Sequence, residues 1–219
     1  MGATYRDRAA AGAALAGALA RYAKRPDVVV LGLVRGGVPV AAEVAAQLEV
    51  ALDVLVIRKL GVPWAPEVAF GAVGPGGVAV HNDDVIRRLE PRDIDAVVAR
   101  EEAELRRREA IYRAGRPPLV LRPSKIAVIV DDGLATGATA RAAVAVARAL
   151  DAAAVVLAVP VGSARALETL APLVDGLVCP VRPSPFGAVS EYYEDFHQVT
   201  DGEVAAALDS AGVRPTGTV

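Results

Sequence analysis

The strongest constraint on the fold of this chain is the order of residue types from position 126 to position 150. Residues 126–130 are an apolar run typical of a strand buried on both faces. The run ends in two carboxylates, Asp131 and Asp132, followed by a glycine and a loop of small residues. The Ala-rich residues 140–150 then predict a helix. The chain therefore contains a strand, an acidic pair, a short loop and a helix N-terminus, in that order.

The loop after the acidic pair has no bulky side chain, so a ligand can approach its backbone closely. Its residues are Ala135, Thr136, Gly137, Ala138 and Thr139. Successive N–H groups at the start of a helix carry partial positive charge and favour a phosphate, and the two threonine hydroxyls add donors. The loop therefore predicts a phosphate site.

The two acids suit a different part of the same ligand. Asp131 and Asp132 would repel a phosphate, but carboxylates bind vicinal hydroxyls or a metal ion. A phosphate beside a diol is a sugar phosphate, and ribose 5-phosphate fits this spacing. A helix cap is the simpler alternative. It explains one Asp and one Thr, but not two acids at a buried strand end together with the small-residue loop.

Residues 128–139 resemble the 5-phosphoribosyl-1-pyrophosphate (PRPP) binding motif of the type I phosphoribosyltransferases. That motif consists of apolar residues, two acids and a loop ending in Thr-Gly-x-Thr. The family often has two threonines before the glycine, whereas this chain has Ala135-Thr136, which removes one hydroxyl from the phosphate contact. The resemblance covers residues 26–180.

The resemblance implies a doubly wound α/β fold with a mainly parallel central sheet. Apolar runs that alternate with helical sequence support such a sheet. We expect a single domain over residues 1–219, with the core at 26–180, a lid or insertion within 61–120 and a small hood formed by 181–219. Residues 67–73 and 78–81 predict a hairpin, and residues 61–81 the flexible lid.

A second loop, Arg35-Gly36-Gly37, follows an early apolar strand and precedes another Ala-rich helix. Adjacent glycines permit close backbone approach, and Arg35 adds a charge suited to phosphate. The resemblance assigns this loop to pyrophosphate and implies a non-proline cis peptide at or next to Arg35. A tight turn with a surface arginine is the alternative reading of these residues.

Arg58 and Lys59 follow the second apolar strand, residues 52–57, and predict a further part of the pyrophosphate site. Solvated charges flanking a strand are the alternative. The single Cys179 excludes a disulfide framework, and His81 and His197 lie far apart. The expected metal is therefore Mg²⁺, carried by PRPP and held in part by Asp131 and Asp132.

The implied reaction is transfer of a 5-phosphoribosyl group from PRPP to a nitrogenous-base-like or other small acceptor, with release of pyrophosphate. Asp131 and Asp132 are the expected catalytic residues. The sequence shows no obvious general base for the acceptor, so Asp132 is a candidate for that role only by elimination. A PRPP-sensing or nucleotide-sensing regulator on the same fold is the alternative. A phosphosugar hydrolase on a related core explains the Thr-Gly-x-Thr loop less well.

Charge and hydropathy limit the partners. The net charge of −2 and the absence of a run long enough to span a bilayer predict neither nucleic acid nor membrane as a partner. We expect a cytoplasmic protein.

An apolar helical stripe must be buried on this chain or on a second copy, so a homodimer is expected. The stripe consists of Ile94, Val98, Leu105 and Tyr112.

Trp64 and the aromatic residues of the tail each have more than one possible role. Trp64 predicts a lid anchor, an acceptor contact or simple packing. The tail residues Tyr192, Tyr193 and Phe196 predict either a stacking surface for a planar acceptor or an apolar cluster that fixes the tail.

Overall fold

The computed structural model describes residues 4–113 and 116–211. In chain order, its elements are α1 (Arg8–Ala18), β1 (Val28–Leu33), α2 (Gly37–Leu48), β2 (Ala51–Leu55), β3 (Arg58–Val62), β4 (Ala65–Val73), β5 (Ala79–His81), α3 (Asp83–Ile86), α4 (Pro91–Arg113), β6 (Ile126–Val130), α5 (Ala138–Ala149), β7 (Ala154–Ala158), α6 (Ala164–Leu170), β8 (Gly176–Val178) and α7 (Asp201–Ser210). Short 3-10 turns lie at 20–22, 75–77, 171–173 and 189–192.

The main sheet has five parallel strands in the order β2-β1-β6-β7-β8. Side chains alternate across it, so Val28 and Val30 of β1 pack with α1 and α2. Val29 and Leu31 pack on the other face, with α5 and α6. Apolar strands covered on both faces account for the continuous apolar runs in the sequence. The predicted doubly wound, mainly parallel fold is confirmed.

A smaller antiparallel sheet, in the order β3-β4-β5, contacts the helices α3, α4 and α5. The predicted hairpin is confirmed by the pairing of Gly71 with His81, while β3 is a strand that the sequence pattern did not predict. Leu60 and Phe70 are fully buried in the cluster that joins this sheet to α4 and α7. The segment expected to be a lid thus packs against α4 and α7, and its mobility stays a prediction.

The apolar stripe of α4 is covered largely by this chain itself. Leu105 and Tyr112 are buried, and Ile94 and Val98 are half-buried against the same cluster. The stripe therefore gives little support for a second subunit. Among the described residues, no helix is both long enough and apolar enough to cross a membrane.

Candidate functional site

The candidate site lies where the strand order of the main sheet changes direction. After β1 the chain passes to β2 on one side, and after β6 it passes to β7 on the other side. The loops that leave neighbouring strands in opposite directions open a crevice at their carboxyl ends, where ligands of such sheets bind. Residues 34–37 form one wall of this crevice and residues 131–139 form the other.

The two walls touch at the adjacent glycines. A β-carbon at Gly36 would overlap Oδ2 of Asp132, and one at Gly37 would overlap the carbonyl oxygen of Val130 and Cα of Asp131. Gly36 has an ordinary helical φ of −58°, so close approach, not a left-handed backbone, requires glycine here. The cis peptide expected next to Arg35 is present, between Val34 and Arg35.

Two hydrogen bonds hold the predicted phosphate loop against the segment that follows β7. The N–H of Leu134 donates to the carbonyl of Val161 at 2.9 Å, and Ser163 Oγ donates to the carbonyl of Ala135 at 2.7 Å. Gly137 takes a left-handed φ of 79° where α5 begins. Ala135, Thr136, Ala138 and Thr139 are exposed, so the helix start is open to a ligand.

The acid pair directly follows β6, and both acids are half-buried. Oδ1 of Asp131 accepts the N–H of Asp132 at 2.9 Å. Burial raises the pKa of Asp131 well above its usual range, and the adjacent Asp132 raises that pKa further. Burial also raises the pKa of Asp132, although the guanidinium of Arg8 opposes this shift. The pair therefore resists carrying two negative charges unless a cation or a ligand compensates.

Arg8 is the site residue that the sequence did not reveal. Its Nε and Nη2 each lie 2.9 Å from Oδ2 of Asp132, and Nη1 donates to the carbonyl of His197 at 2.9 Å. The guanidinium lies 4.0 Å from the centre of the Phe196 ring. Because 124 positions separate Arg8 from Asp132, no local pattern could have predicted the pair.

The aromatic residues of the tail pack against each other and against the site backbone. Tyr193 OH donates to the carbonyl of Asp132 at 2.5 Å. The Tyr193 ring centre lies 5.6 Å from that of Tyr5 and 4.9 Å from that of Phe196. Of the two interpretations of this cluster, packing that fixes the tail is therefore what the structure shows for Tyr193. Phe186 and Tyr192 form a stacked, half-buried pair that packs against the same cluster.

Arg35 lies at the crevice but faces the tail helix. Its Nη1 is 3.8 Å from Oδ1 of Asp201, and both side chains are partly exposed, so this pair is weak.

The position of Arg58 and Lys59 differs from the prediction made for them. Arg58 and Lys59 do not end a buried strand, because they begin β3 of the small sheet.

The two cations of β3 have different surroundings. Arg58 Nη2 lies 2.6 Å from Oε2 of the buried Glu101, so its charge is already paired. Lys59 is exposed and lines a groove of about 690 Å³ that also reaches Ala138, at the start of α5. A pyrophosphate role for either residue stays a prediction. Trp64, at the turn between β3 and β4, is 67% exposed, which removes simple packing as its role.

The acid pair fits Mg²⁺ only as an ion carried by a ligand. No group of three or more His, Cys, Asp or Glu side chains within residues 4–113 and 116–211 is arranged to hold a metal. Asp131 Oδ1 and Asp132 Oδ2 already have partners, whereas the other carboxylate oxygen of each residue has none within the described part of the chain. Mg²⁺ takes six oxygen ligands, so phosphate oxygens and water would have to supply most of them.

The phosphoribosyl transferase domain family matches residues 3–192, a range that contains both walls of the crevice. The chain belongs to this family. The resemblance seen in residues 128–139 to the type I phosphoribosyltransferases is thereby confirmed.

Proteins from Mycobacterium tuberculosis and Thermus thermophilus are similar to this chain. A Mycobacterium tuberculosis protein, Rv0571c, provisionally named a phosphoribosyl transferase, is 53% identical over 207 residues. The match covers 94% of this chain but only 46% of that protein, so the chain spans about half the length of this relative. The crystal structure of TT1426 from Thermus thermophilus is 44% identical, with a TM-score of 0.86, and the match covers 93% of this chain and 97% of that chain.

Proposed function

We propose that this chain transfers a 5-phosphoribosyl group from PRPP to a nitrogenous-base-like or other small acceptor and releases pyrophosphate. The observation that carries this proposal is the contact between the Gly36-Gly37 loop and the Asp131-Asp132 pair. In this proposal the Gly36-Gly37 loop binds pyrophosphate, the acid pair binds the diol, and the loop that follows the acid pair binds the phosphate. PRPP carries a pyrophosphate, a diol and a phosphate on one ribose.

Each wall has its own task in the proposed reaction. The N–H groups at the start of α5 bind the 5′-phosphate, with Thr136 and Thr139 as additional donors. Asp131 and Asp132 bind the ribose hydroxyls through their unoccupied oxygens. Arg35 leaves its weak pair with Asp201 to bind pyrophosphate.

The bond between the anomeric carbon and the pyrophosphate oxygen breaks as the acceptor nitrogen forms its new bond to that carbon. The bonding electrons leave with pyrophosphate, and the proton of the acceptor N–H passes to the released pyrophosphate or to water. The negative charge of the acid pair stabilises the positive charge that develops on the ribose. When bound, Mg²⁺ neutralises charge on the departing pyrophosphate. The protein forms no covalent bond, so positioning supplies most of the rate enhancement.

Calorimetric titration of the protein with PRPP and Mg²⁺ tests the proposal. We expect binding that the Asp131→Asn/Asp132→Asn double variant loses, while Asp95→Asn/Asp209→Asn, two exposed acids on other helices, retains it. No binding at millimolar PRPP by the folded protein would contradict the proposal. A screen of planar bases and amines for pyrophosphate release then identifies the acceptor, and PRPP binding without any turnover would assign the chain as a sensor.

Other observations bear on the partners and the location of the protein. The net charge of −2 favours small-molecule substrates over nucleic acid. A homodimer rests only on the half-buried Ile94 and Val98. A cytoplasmic location rests on the sequence alone. The provisional name of the Mycobacterium tuberculosis relative agrees with the proposed class of reaction.

A further inference from the structure

Arg8 and Asp132 form an ion pair that none of the proposed steps uses. The Arg8 side chain is 8% exposed and that of Asp132 is 15% exposed. Burial of a charged group costs several kcal/mol unless good geometry and further hydrogen bonds compensate. Arg8 has both, because its three nitrogens have partners and its face lies over Phe196.

This pairing restrains the carboxylate of Asp132. Two nitrogens of Arg8 converge on Oδ2, while Oδ1 has no partner among the described residues. The backbone of Gly36 packs against the same carboxylate, and Tyr193 holds the carbonyl of Asp132. Asp132 is therefore fixed from three sides, with one oxygen left for a ligand.

The same contact places a positive charge beside the acid pair. Two neighbouring carboxylates in a half-buried position repel each other, and Arg8 is the one cation in ion-pair contact with either of them among the described residues. Arg8 binds Asp132 through Oδ2 alone, so the other oxygen can accept a hydrogen bond from a hydroxyl. Without Arg8, Asp132 loses both its orientation and its compensating charge.

We propose that Arg8 is a positioning residue for diol recognition, which holds Asp132 through Oδ2 so that Oδ1 is presented to a ribose hydroxyl. The inference rests on the proposed function of the acid pair. It also explains why α1 and the tail meet at the site, since Arg8 belongs to α1 and its third nitrogen binds the carbonyl of His197. If Arg8 only held the tail in place, its replacement would affect the binding of every ligand of the crevice to the same extent.

Separate titrations with ribose 5-phosphate and with magnesium pyrophosphate distinguish these roles, because only the first ligand carries the diol. We expect Arg8→Gln to weaken ribose 5-phosphate binding by about ten- to a hundredfold, the usual value of a hydrogen bond to a charged group. Pyrophosphate binding should not change. Arg8→Lys should recover part of the loss, since an ammonium can pair with Oδ2 but lacks the planar fork.

The matched control is Arg6→Gln. Arg6 lies two positions away, and its exposed side chain pairs with Asp7. This variant should bind both ligands like the wild type. In an Asp132→Asn background, Arg8→Gln should change ribose 5-phosphate affinity by less than about twofold, because residues that act through one another are not additive.

Two results would overturn the proposal: unchanged ribose 5-phosphate affinity in folded Arg8→Gln, or an equal loss of both ligands. If Arg8→Gln does not fold, Arg8→Lys decides, and wild-type affinity of that variant for ribose 5-phosphate would overturn the proposal equally. Failure of the proposed function is a separate result, because the wild-type protein would then bind neither PRPP nor ribose 5-phosphate.

Discussion

Gly36 lies so close to Asp132 that any side chain at position 36 would overlap the carboxylate oxygen Oδ2. The two residues belong to different walls of the crevice, and their contact joins the loop after β1 to the loop after β6. The absence of a side chain at position 36 is therefore a requirement of the site and not of a turn.

Gly36→Ala should displace Asp132 and weaken PRPP binding in calorimetry, with a loss of about 1–3 kcal/mol in the free energy of unfolding from overpacking. Gly17→Ala is the matched control, since a β-carbon at Gly17 in α1 meets nothing within 4 Å. That variant should gain about 0.5–1 kcal/mol in stability and keep PRPP binding. Wild-type PRPP affinity in Gly36→Ala would contradict the role of the contact.

Asp131→Asn should make the folded protein more stable at neutral pH and less sensitive to pH. Burial raises the pKa of Asp131, so the folded protein keeps a proton that the unfolded chain releases at the ordinary Asp pKa of about 3.9. The stability from this proton is fully present below about pH 3.9 and is lost as the pH rises through the folded pKa. Asparagine cannot ionise and should remove this slope.

Urea unfolding at a series of pH values from about 4 upward measures that slope. Asp95→Asn, which replaces an exposed acid on α4, should keep the wild-type pH dependence. An identical slope in Asp131→Asn and the wild type would show that Asp131 does not hold a proton in the folded state.

Tyr193→Phe should cost about 1 kcal/mol of folding stability, because it removes one hydrogen bond and keeps the packed ring. The lost donor leaves the carbonyl of Asp132 unpaired, so PRPP affinity should fall as well. Tyr192→Phe is the comparison, since the Tyr192 hydroxyl makes no hydrogen bond within the described residues. Equal melting temperatures for the two variants would contradict a structural role for the Tyr193 hydroxyl.

Arg113→Met should destabilise the fold by about 3–5 kcal/mol without touching the crevice, because it leaves Asp53, whose side chain is only 13% exposed, without its counter-ion. Arg113 Nη2 lies 3.0 Å from Oδ1 of Asp53, and burial raises the pKa of that carboxyl against the opposing charge of Arg113. Chemical denaturation measures the loss, and an added Asp53→Asn change should recover part of it. Arg107→Gln, in an exposed pair with Glu104, should cost less than about 1 kcal/mol.

The fold and the loops of the candidate site could be predicted from sequence because each depends on neighbouring residues. An apolar run produces a buried strand, small residues open a helix start, and adjacent glycines permit close approach. The acid pair and the loop from Ala135 to Thr139 were located in this way. The cis peptide before Arg35 was expected from the family resemblance of the same residues.

Only the tertiary structure decided which side chains surround those loops. Arg8 meets Asp132 across 124 positions, and Arg58 pairs with Glu101 across 43. A charged side chain can form an ion pair with any opposite charge that folding brings within reach, so its sequence neighbours do not reveal its partner. The sequence by itself determined the backbone of the crevice, and long-range packing determined the charge and orientation of the acids within it.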